Sequence, residues 1–312
     1  MTILITGGSG WLASFLIRDL LKEGYTDIVI MDIVPPNKVL LREVIDKVKY
    51  VRGDVRAWPD LVSVIRKYNI IDVFHLAALL TAQSEEAPHE AFSINAVGTF
   101  NVLEAARLFD VRKVIFPSSI AVYGPGVREP VDENQPERPT NFYGITKLFG
   151  ECLGYYYFRK YGLDFRGVRY PRLVGPFRGG GGTAAYPSRM IEEVILRKYY
   201  ECEVSREYTI PIMYVKDASR FLIKLYQVEN VKTRIYNVQG LVVKAEDIAE
   251  ALLRHITGAT IKFPEKEVKL FLEIPLYYDD SRAKEELGWN LYYDSIYKII
   301  EDFMIELSHL KT

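Results

Sequence analysis

The chain has 312 residues, 49% hydrophobic and 26% charged, with a formal net charge of −1. These values fit an ordinary globular protein and exclude a disordered or collagen-like chain. Near-neutral charge also removes the field that would draw in nucleic acid or an anionic membrane. No apolar run approaches the roughly 20 residues that span a bilayer. Two cysteines, Cys152 and Cys202, are too few for a disulfide framework or a zinc cluster.

Thr2–Thr6 reads as a β-strand, and glycines follow where the apolar core of a secretory leader would continue. No leader is therefore expected, and the chain is read as cytoplasmic. Trp11–Lys22 carries helical periodicity, Ile28–Asp32 and Lys49–Asp54 read as strands, and Pro59–Tyr68 as a helix. Strand Asp72–Ala78, a long helix His89–Phe109, strand Lys113–Ser119, helix Tyr143–Tyr161 and strand Leu163–Pro171 follow. Near-continuous apolar strands joined by helices predict an α/β fold, a Rossmann-like doubly wound parallel sheet covered on both faces. Cys152 lies in a helical pattern among apolar residues and is read as a buried thiol.

After Pro171 the pattern changes. Gly175–Gly182 contains five glycines, one proline and Arg178, and reads as a mobile loop that could serve as a substrate lid. It lacks a following Lys-Ser/Thr and so is no P-loop. Helices are predicted at Ala185–Lys198, Asp217–Gln227, Ala245–Thr257, Ser281–Leu287 and Asp294–Leu307, and strands at Tyr208–Tyr214 and Arg234–Gly240. Together they predict a smaller C-terminal α/β lobe on the carboxyl edge of the sheet, where ligands bind in such folds.

The first strand runs into Gly7-Gly8-Ser9-Gly10-Trp11-Leu12-Ala13, which fits G-x-x-G-x-x-[G/A]. Glycines there let backbone approach a pyrophosphate, and the helix N-terminus supplies N–H donors and a positive dipole end. The acid closing the second strand is Asp32, at the spacing expected of a ribose-binding carboxylate. A carboxylate at that place repels a 2′-phosphate, and Ile33-Val34-Pro35-Pro36 offers no arginine to receive one. The cofactor indicated is NAD.

Tyr143-Gly144-Ile145-Thr146-Lys147 is Y-x-x-x-K, which places phenol and ammonium on one helical face. It follows Ser118-Ser119, which closes a strand at the same carboxyl edge. A free tyrosine is only about 0.1% phenolate at pH 7, so a base made from one needs nearby positive charge. His75 lies within a strand and reads as structural. His89, His255 and His309 are scattered without metal-ligand spacing, so no metal is expected. The run Tyr155-Tyr156-Tyr157-Phe158 reads as core plus subunit interface.

With these elements assembled, the chain resembles the extended short-chain dehydrogenases/reductases of the NAD-dependent epimerase/dehydratase superfamily. The resemblance rests on TGGSGWLA, Asp32, GDV at Gly53–Val55, HLAA at His75–Ala78, NAVGT at Asn95–Thr99, SSIAVYG at Ser118–Gly124, YGITK, RYP and DDSRAKEELGW at Asp279–Trp289. It implies that Gly7, Gly10, Trp11 and Leu12 hold pyrophosphate, Asp32 the adenosine ribose, and that Asp54 and Val55 flank adenine. Leu76, Ala77 and Ala78 would line the crevice, Asn95 would support the cofactor loop, and Lys147 would hold the nicotinamide ribose. Tyr170 and Pro171 would lie near the nicotinamide. Tyr143, Ser119 and Lys147 are the implied catalytic residues. Residues 1–171, joined by 205–240, would form the NAD-binding domain, and 172–204 with 241–312 the substrate-binding lobe.

Most extended members act on nucleotide sugars, with R-Y-F-N-x-x-G-P after the catalytic helix and an arginine opening R-D-F-x-x-V-x-D. Here Arg172 stands at the asparagine position and Ile210 at that arginine. The stretches FHLAALLTAQSE, RYP, GTAAY and IPIMYVKDA instead resemble the short-chain type of L-threonine 3-dehydrogenases. That likeness implies oxidation of the C3 hydroxyl of L-threonine to 2-amino-3-oxobutyrate, with Thr81, Ser118, Ser119, Tyr143 and Thr183 holding the amino acid. A nucleotide-sugar epimerase or dehydratase is the alternative. The resemblance also implies a homodimer joined through a four-helix bundle, a small-molecule substrate, and neither nucleic acid nor membrane as partner.

Overall fold

The computed structural model describes residues 1–36, 38–41, 44–179, 185–265 and 274–308. Twelve strands are present among them: β1 (Thr2–Thr6), β2 (Ile28–Asp32), β3 (Lys49–Arg52), β4 (Ile70–His75), β5 (Lys113–Ser119), β6 (Asp164–Tyr170), β7 (Arg172–Val174), β8 (Tyr199–Glu201), β9 (Thr209–Tyr214), β10 (Ile235–Asn237), β11 (Leu241–Lys244) and β12 (Thr260–Lys262). Seven form one sheet in the order β10-β6-β5-β4-β1-β2-β3, with every neighbouring pair parallel. Parallel strands need crossovers, and the helices supplying them cover both faces. All five residues of β1 are buried, which explains why it reads as an unbroken apolar run.

One face packs the helices Trp11–Lys22 and Val215–Gln227 through Leu16, Ile17, Phe221 and Leu222. The other packs Trp58–Tyr68, Gly98–Leu108 and Phe142–Tyr161 through Leu61, Val102, Leu103 and Tyr157. The winding reverses between β1 and β4, so the carboxyl ends of those strands open a crevice at the switch point.

The helix Phe142–Tyr161 approaches the sheet closely because glycines face it. A Cβ on Gly150 would meet Phe116 at 2.6 Å, and one on Gly154 would meet Phe165 at 2.3 Å. Its outer side carries Ile145, Phe149, Tyr155 and Tyr156, each 42–50% exposed. Cys152 belongs to that outer side and is exposed. The expected buried thiol is therefore corrected: the apolar neighbours that suggested a core lie on a helix face that this chain leaves open. The expected helix His89–Phe109 begins at Pro88 and contains a π-helical stretch, Phe92–Val97. The wider turn brings Phe92 and Val97, five residues apart, out with Phe100.

Beyond β6 a second layer forms from β11-β9-β7, with β9 antiparallel to β11 and parallel to β7, and from the pair β12-β8. Segment 205–240 divides, since β10 joins the large sheet and β9 the small one. Strands β7, β8, β11 and β12 are three or four residues long, too short for a period to show. The two layers are joined by packing and by ion pairs. Phe15 on the first helix enters the small core. Arg18 beside it pairs with buried Glu306 at 3.0 and 2.9 Å, which also receives Lys216. No helix among the described residues is long and apolar enough to cross a membrane.

Candidate active site

The crevice begins at Gly7. Its φ of +66° suits a residue without a Cβ, and an added Cβ would sit 2.6 Å from the Ala77 nitrogen. The loop after β1 therefore lies directly against Leu76–Ala77 after β4. Gly10 caps the helix Trp11–Lys22, with no side chain on the cap and no acid in the first turn. A Cβ there would meet only the Gly7 carbonyl, at 3.0 Å. The open space and unclaimed helix N-terminus suit a pyrophosphate.

Asp32 closes β2 beside this turn, its two oxygens accepting from the Ser9 N–H at 3.0 Å and the Val34 N–H at 3.2 Å. Ionised carboxylate oxygens have further lone pairs, so ribose hydroxyls can still bind. Asp54 is held by Arg56 through hydrogen bonds of 2.6–3.0 Å, which lowers its carboxyl below the usual range. Val55 is buried, and its carbonyl accepts from Asn101. Trp11 donates its indole N–H to the Pro176 carbonyl at 2.8 Å, tying the turn to the small lobe. Leu12 packs between the two cores.

The strand expected to run to Ala78 ends at His75, and Leu76, Ala77 and Ala78 continue as half-buried irregular chain. Asn95 supports that stretch. Its amide receives the Leu79 N–H at 2.8 Å and donates to the Leu79 carbonyl and to Thr146. It thus acts beneath the crevice rather than on its wall. His75 is wholly buried between the hydroxyls of Thr6 (2.7 Å) and Thr99 (2.9 Å). Burial, with Lys147 nearby, pushes it down to about 3, so it stays neutral and structural.

Ser119 ends β5, paired in register with Tyr170. Its hydroxyl accepts from the Ala121 N–H at 3.1 Å, leaving the O–H proton to donate outward. The helix carrying Tyr143 starts at an Asn141 cap that accepts from Gly144 at 2.8 Å, worth about 1 kcal/mol. Gly144 fixes how near that helix comes, because a Cβ would lie 2.1 Å from the Ala121 carbonyl. Lys147 reaches back to donate to the Pro117 carbonyl at 2.8 Å, its ammonium 5.6 Å from the Tyr143 ring centre. These ties gather Ser119, Tyr143 and Lys147 at one corner. Burial lowers Lys147 to about 8, which leaves it mostly protonated at pH 7. Burial raises Tyr143, and the Arg178 guanidinium pulls the other way.

Two expected contacts are corrected. Ser118 is 3% exposed and donates to buried Glu151, which Arg169 also binds. Adjacent strand residues face opposite sides, so Ser119 at the site sends Ser118 into the packing behind it. Tyr170 is likewise buried, its hydroxyl donating to the Ala218 carbonyl at 2.6 Å, so only its backbone borders the crevice beside Pro171. Thr81 opens a short helix, Thr81–Glu86, and is half-buried. Thr183, Gly180–Gly182 and His309 lie outside the described residues. Sequence reading missed Arg178 as a neighbour of Tyr143, because a chain reversal, not a motif, brings it there. Among the described residues no three His, Cys, Asp or Glu side chains gather as a metal site.

Comparison with known proteins adds to this geometry. The NAD dependent epimerase/dehydratase family profile matches residues 3–238. The mitochondrial L-threonine 3-dehydrogenase of Bos taurus is 30% identical over 300 residues, covering 94% of this chain and 79% of the bovine one. The holo form of the GalE-like L-threonine dehydrogenase from Cupriavidus necator is 29% identical with a TM-score of 0.88, covering 98% of this chain and all 100% of that one. A monomeric L-threonine 3-dehydrogenase from a metagenome is 28% identical with a TM-score of 0.89, each chain covered at 100%.

Proposed function

The chain belongs to the NAD-dependent epimerase/dehydratase family, and we propose that it oxidises the C3 hydroxyl of L-threonine to 2-amino-3-oxobutyrate. One structural observation carries the choice of substrate. Ile210 is 1% exposed inside β9, where the nucleotide-sugar pattern calls for an arginine to meet a diphosphate. A buried isoleucine offers no positive charge to a diphosphate, which supports a substrate without one. The likeness to L-threonine 3-dehydrogenases over nearly the whole chain supports the same reading.

NAD, when bound, supplies the hydride acceptor. The loop Gly7–Gly10 and the first N–H groups of the Trp11 helix would hold its pyrophosphate, and Asp32 its adenosine ribose. Asp54 and Val55 would border adenine, and Leu76–Ala78 and Pro171 would line the crevice. Lys147 would hold the second ribose. Tyr143 accepts the C3 hydroxyl proton as C3 gives up its hydride, and Ser119 donates a hydrogen bond to the same substrate oxygen. Burial works against the phenolate and the Arg178 guanidinium pulls the other way; the role proposed for the Lys147 ammonium, 5.6 Å from the ring centre, is to add positive charge that favours the phenolate. Thr81 and Thr183 are the proposed hydroxyl contacts to the amino acid.

Two copies are proposed to pair through the exposed stripe of Phe92, Val97, Phe100, Ile145, Phe149 and Tyr156, as a four-helix bundle. Turnover decides the substrate. NADH absorbance should rise with L-threonine and stay flat with UDP- and dTDP-sugars. Conversion of a sugar with L-threonine inert would overturn the reading.

A further inference from the structure

We infer that Arg172, held by Tyr208 and backed by Arg178, is the anion-binding residue of the substrate site and receives the substrate carboxylate. This rests on the reading of the site as one that oxidises a 3-hydroxy amino acid.

Arg172 follows Pro171, two residues beyond the partner of Ser119 in the large sheet, and pairs with Ile212 in the small one. It therefore stands where the two layers meet, at the carboxyl edge that carries Tyr143. Its guanidinium donates to the Tyr208 hydroxyl at 3.0 Å and lies 5.8 Å from that ring's centre. Other buried or half-buried arginines, Arg18, Arg166, Arg169 and Arg234, each sit on a carboxylate. Arg172 has none among the described residues. A guanidinium carries five donors suited to a carboxylate, and here a single tyrosine oxygen meets them. Tyr186, wholly buried, packs its ring 6.0 Å from Tyr208. Its hydroxyl has no hydrogen-bond partner among the described residues.

A second positive charge is folded onto the first. The chain after β7 reverses so that Arg178 donates to the Leu173 carbonyl, with its guanidinium 5.5 Å from the Trp11 ring centre. The reversal is firmly held. Gly175 N–H donates to Ser188 at 3.2 Å, Phe177 N–H to Glu192 at 2.9 Å, and the Trp11 indole to Pro176. Phe177 takes a φ of +60°, a strained setting for an aromatic residue. Burial, and after it the positive charge of Arg172, lowers Arg178's hold on its proton. An anion bound at Arg172 would offset this gathering of positive charge.

The test compares L-threonine with L-threonine amide, which keeps the hydroxyl and ammonium and lacks the carboxylate. Arg172→Gln should raise KM for L-threonine about tenfold or more, leave the amide's KM unchanged, and leave the Kd for NADH unchanged. Arg172→Lys should recover part of the loss, and Tyr208→Phe should show a smaller rise in KM. An unchanged KM for L-threonine in Arg172→Gln, with NADH binding intact, would overturn the assignment while leaving the threonine reading standing. Should the wild type leave L-threonine untouched, melting of the NADH-loaded protein with 3-hydroxybutyrate separates the two ideas. A shift present in the wild type and absent in Arg172→Gln upholds the carboxylate site. No shift, an equal shift in both, or a shift given only by UDP overturns it.

Discussion

The two layers of this molecule meet ligands in different ways. The seven-stranded layer offers backbone: a glycine turn forced against Leu76–Ala77, a bare helix N-terminus, and one carboxylate, Asp32, already braced by two N–H groups. The small layer and the loops leading to it offer side chains, Arg172 on Tyr208 and Arg178 folded over Trp11, while Ile210 is sealed into the core. A cofactor common to a whole family can be held by main chain, which tolerates sequence change. A substrate particular to one branch has to be read by side chains, and these are where this chain departs from the nucleotide-sugar pattern. Substitutions of Tyr143 and Arg172 should therefore lower turnover while sparing cofactor binding, whereas those in the glycine turn should weaken cofactor binding itself.

The largest separation is expected at the corner. Tyr143→Phe removes the proton acceptor and little packing, so kcat should fall by roughly 10²–10⁴, with the Kd for NADH from fluorescence titration within about twofold of wild type. Comparable turnover in the variant would break the division of labour. Gly7→Ala should do the reverse. Its positive φ disfavours alanine by about 1–2 kcal/mol, and the new methyl meets the Ala77 backbone. NADH affinity should drop by about tenfold or more, and unchanged affinity would show that the turn yields more easily than its geometry indicates.

The same contrast explains what could be read in advance. Strand β1, the Trp11 helix, β2, β5 and the Tyr143–Lys147 pair were legible because each is a run of adjacent residues with one period or one spacing. Ser119 was legible because it ends such a strand. The sheet alternation that turns Ser118 toward Glu151 was equally available in the sequence, but Glu151 lies 33 residues away and gives no local sign of the bond. The small layer was poorly legible because its strands are three or four residues long and pair across chain reversals. Arg178 acts on Tyr143 electrostatically because of the turn that Trp11, Ser188 and Glu192 hold in place. Cys152 misled because an apolar helix face reads alike whether it meets a core or stays exposed.

A smaller effect sharpens the view of the large layer as a rigid frame. His75 has a folded value of about 3 against an ordinary 6.5. Between those values the unfolded chain binds a proton that the folded chain refuses. Stability is therefore complete above pH 6.5 and falls as pH drops toward 3, by at most about 1.4 kcal/mol per pH unit. Urea melts at pH 6.5 and 5, before ordinary carboxylates titrate, should show the loss in wild type and a flatter dependence in His75→Gln. Equal slopes would show that His75 does not set this pH dependence.

The smallest effect on catalysis is expected at the outer helix face. Phe149→Glu places a charge on the 42% exposed position in the middle of the stripe. Light scattering at micromolar concentration should show a dimer for wild type and a monomer for the variant, with kcat changed less than about twofold, since neither layer of the site is touched. A monomeric wild type, like the metagenome relative, would confine the stripe to a role within one chain.

In the proposed reaction Tyr143 takes the hydroxyl proton while the hydride at C3 of L-threonine passes to the bound cofactor. L-threonine deuterated at C3 tests it most directly. The deuterium should be recovered in the reduced cofactor, one equivalent per threonine consumed, with turnover slower than for the unlabelled amino acid. Reduced cofactor free of deuterium, or no cofactor reduction while a UDP- or dTDP-sugar is converted, would contradict it.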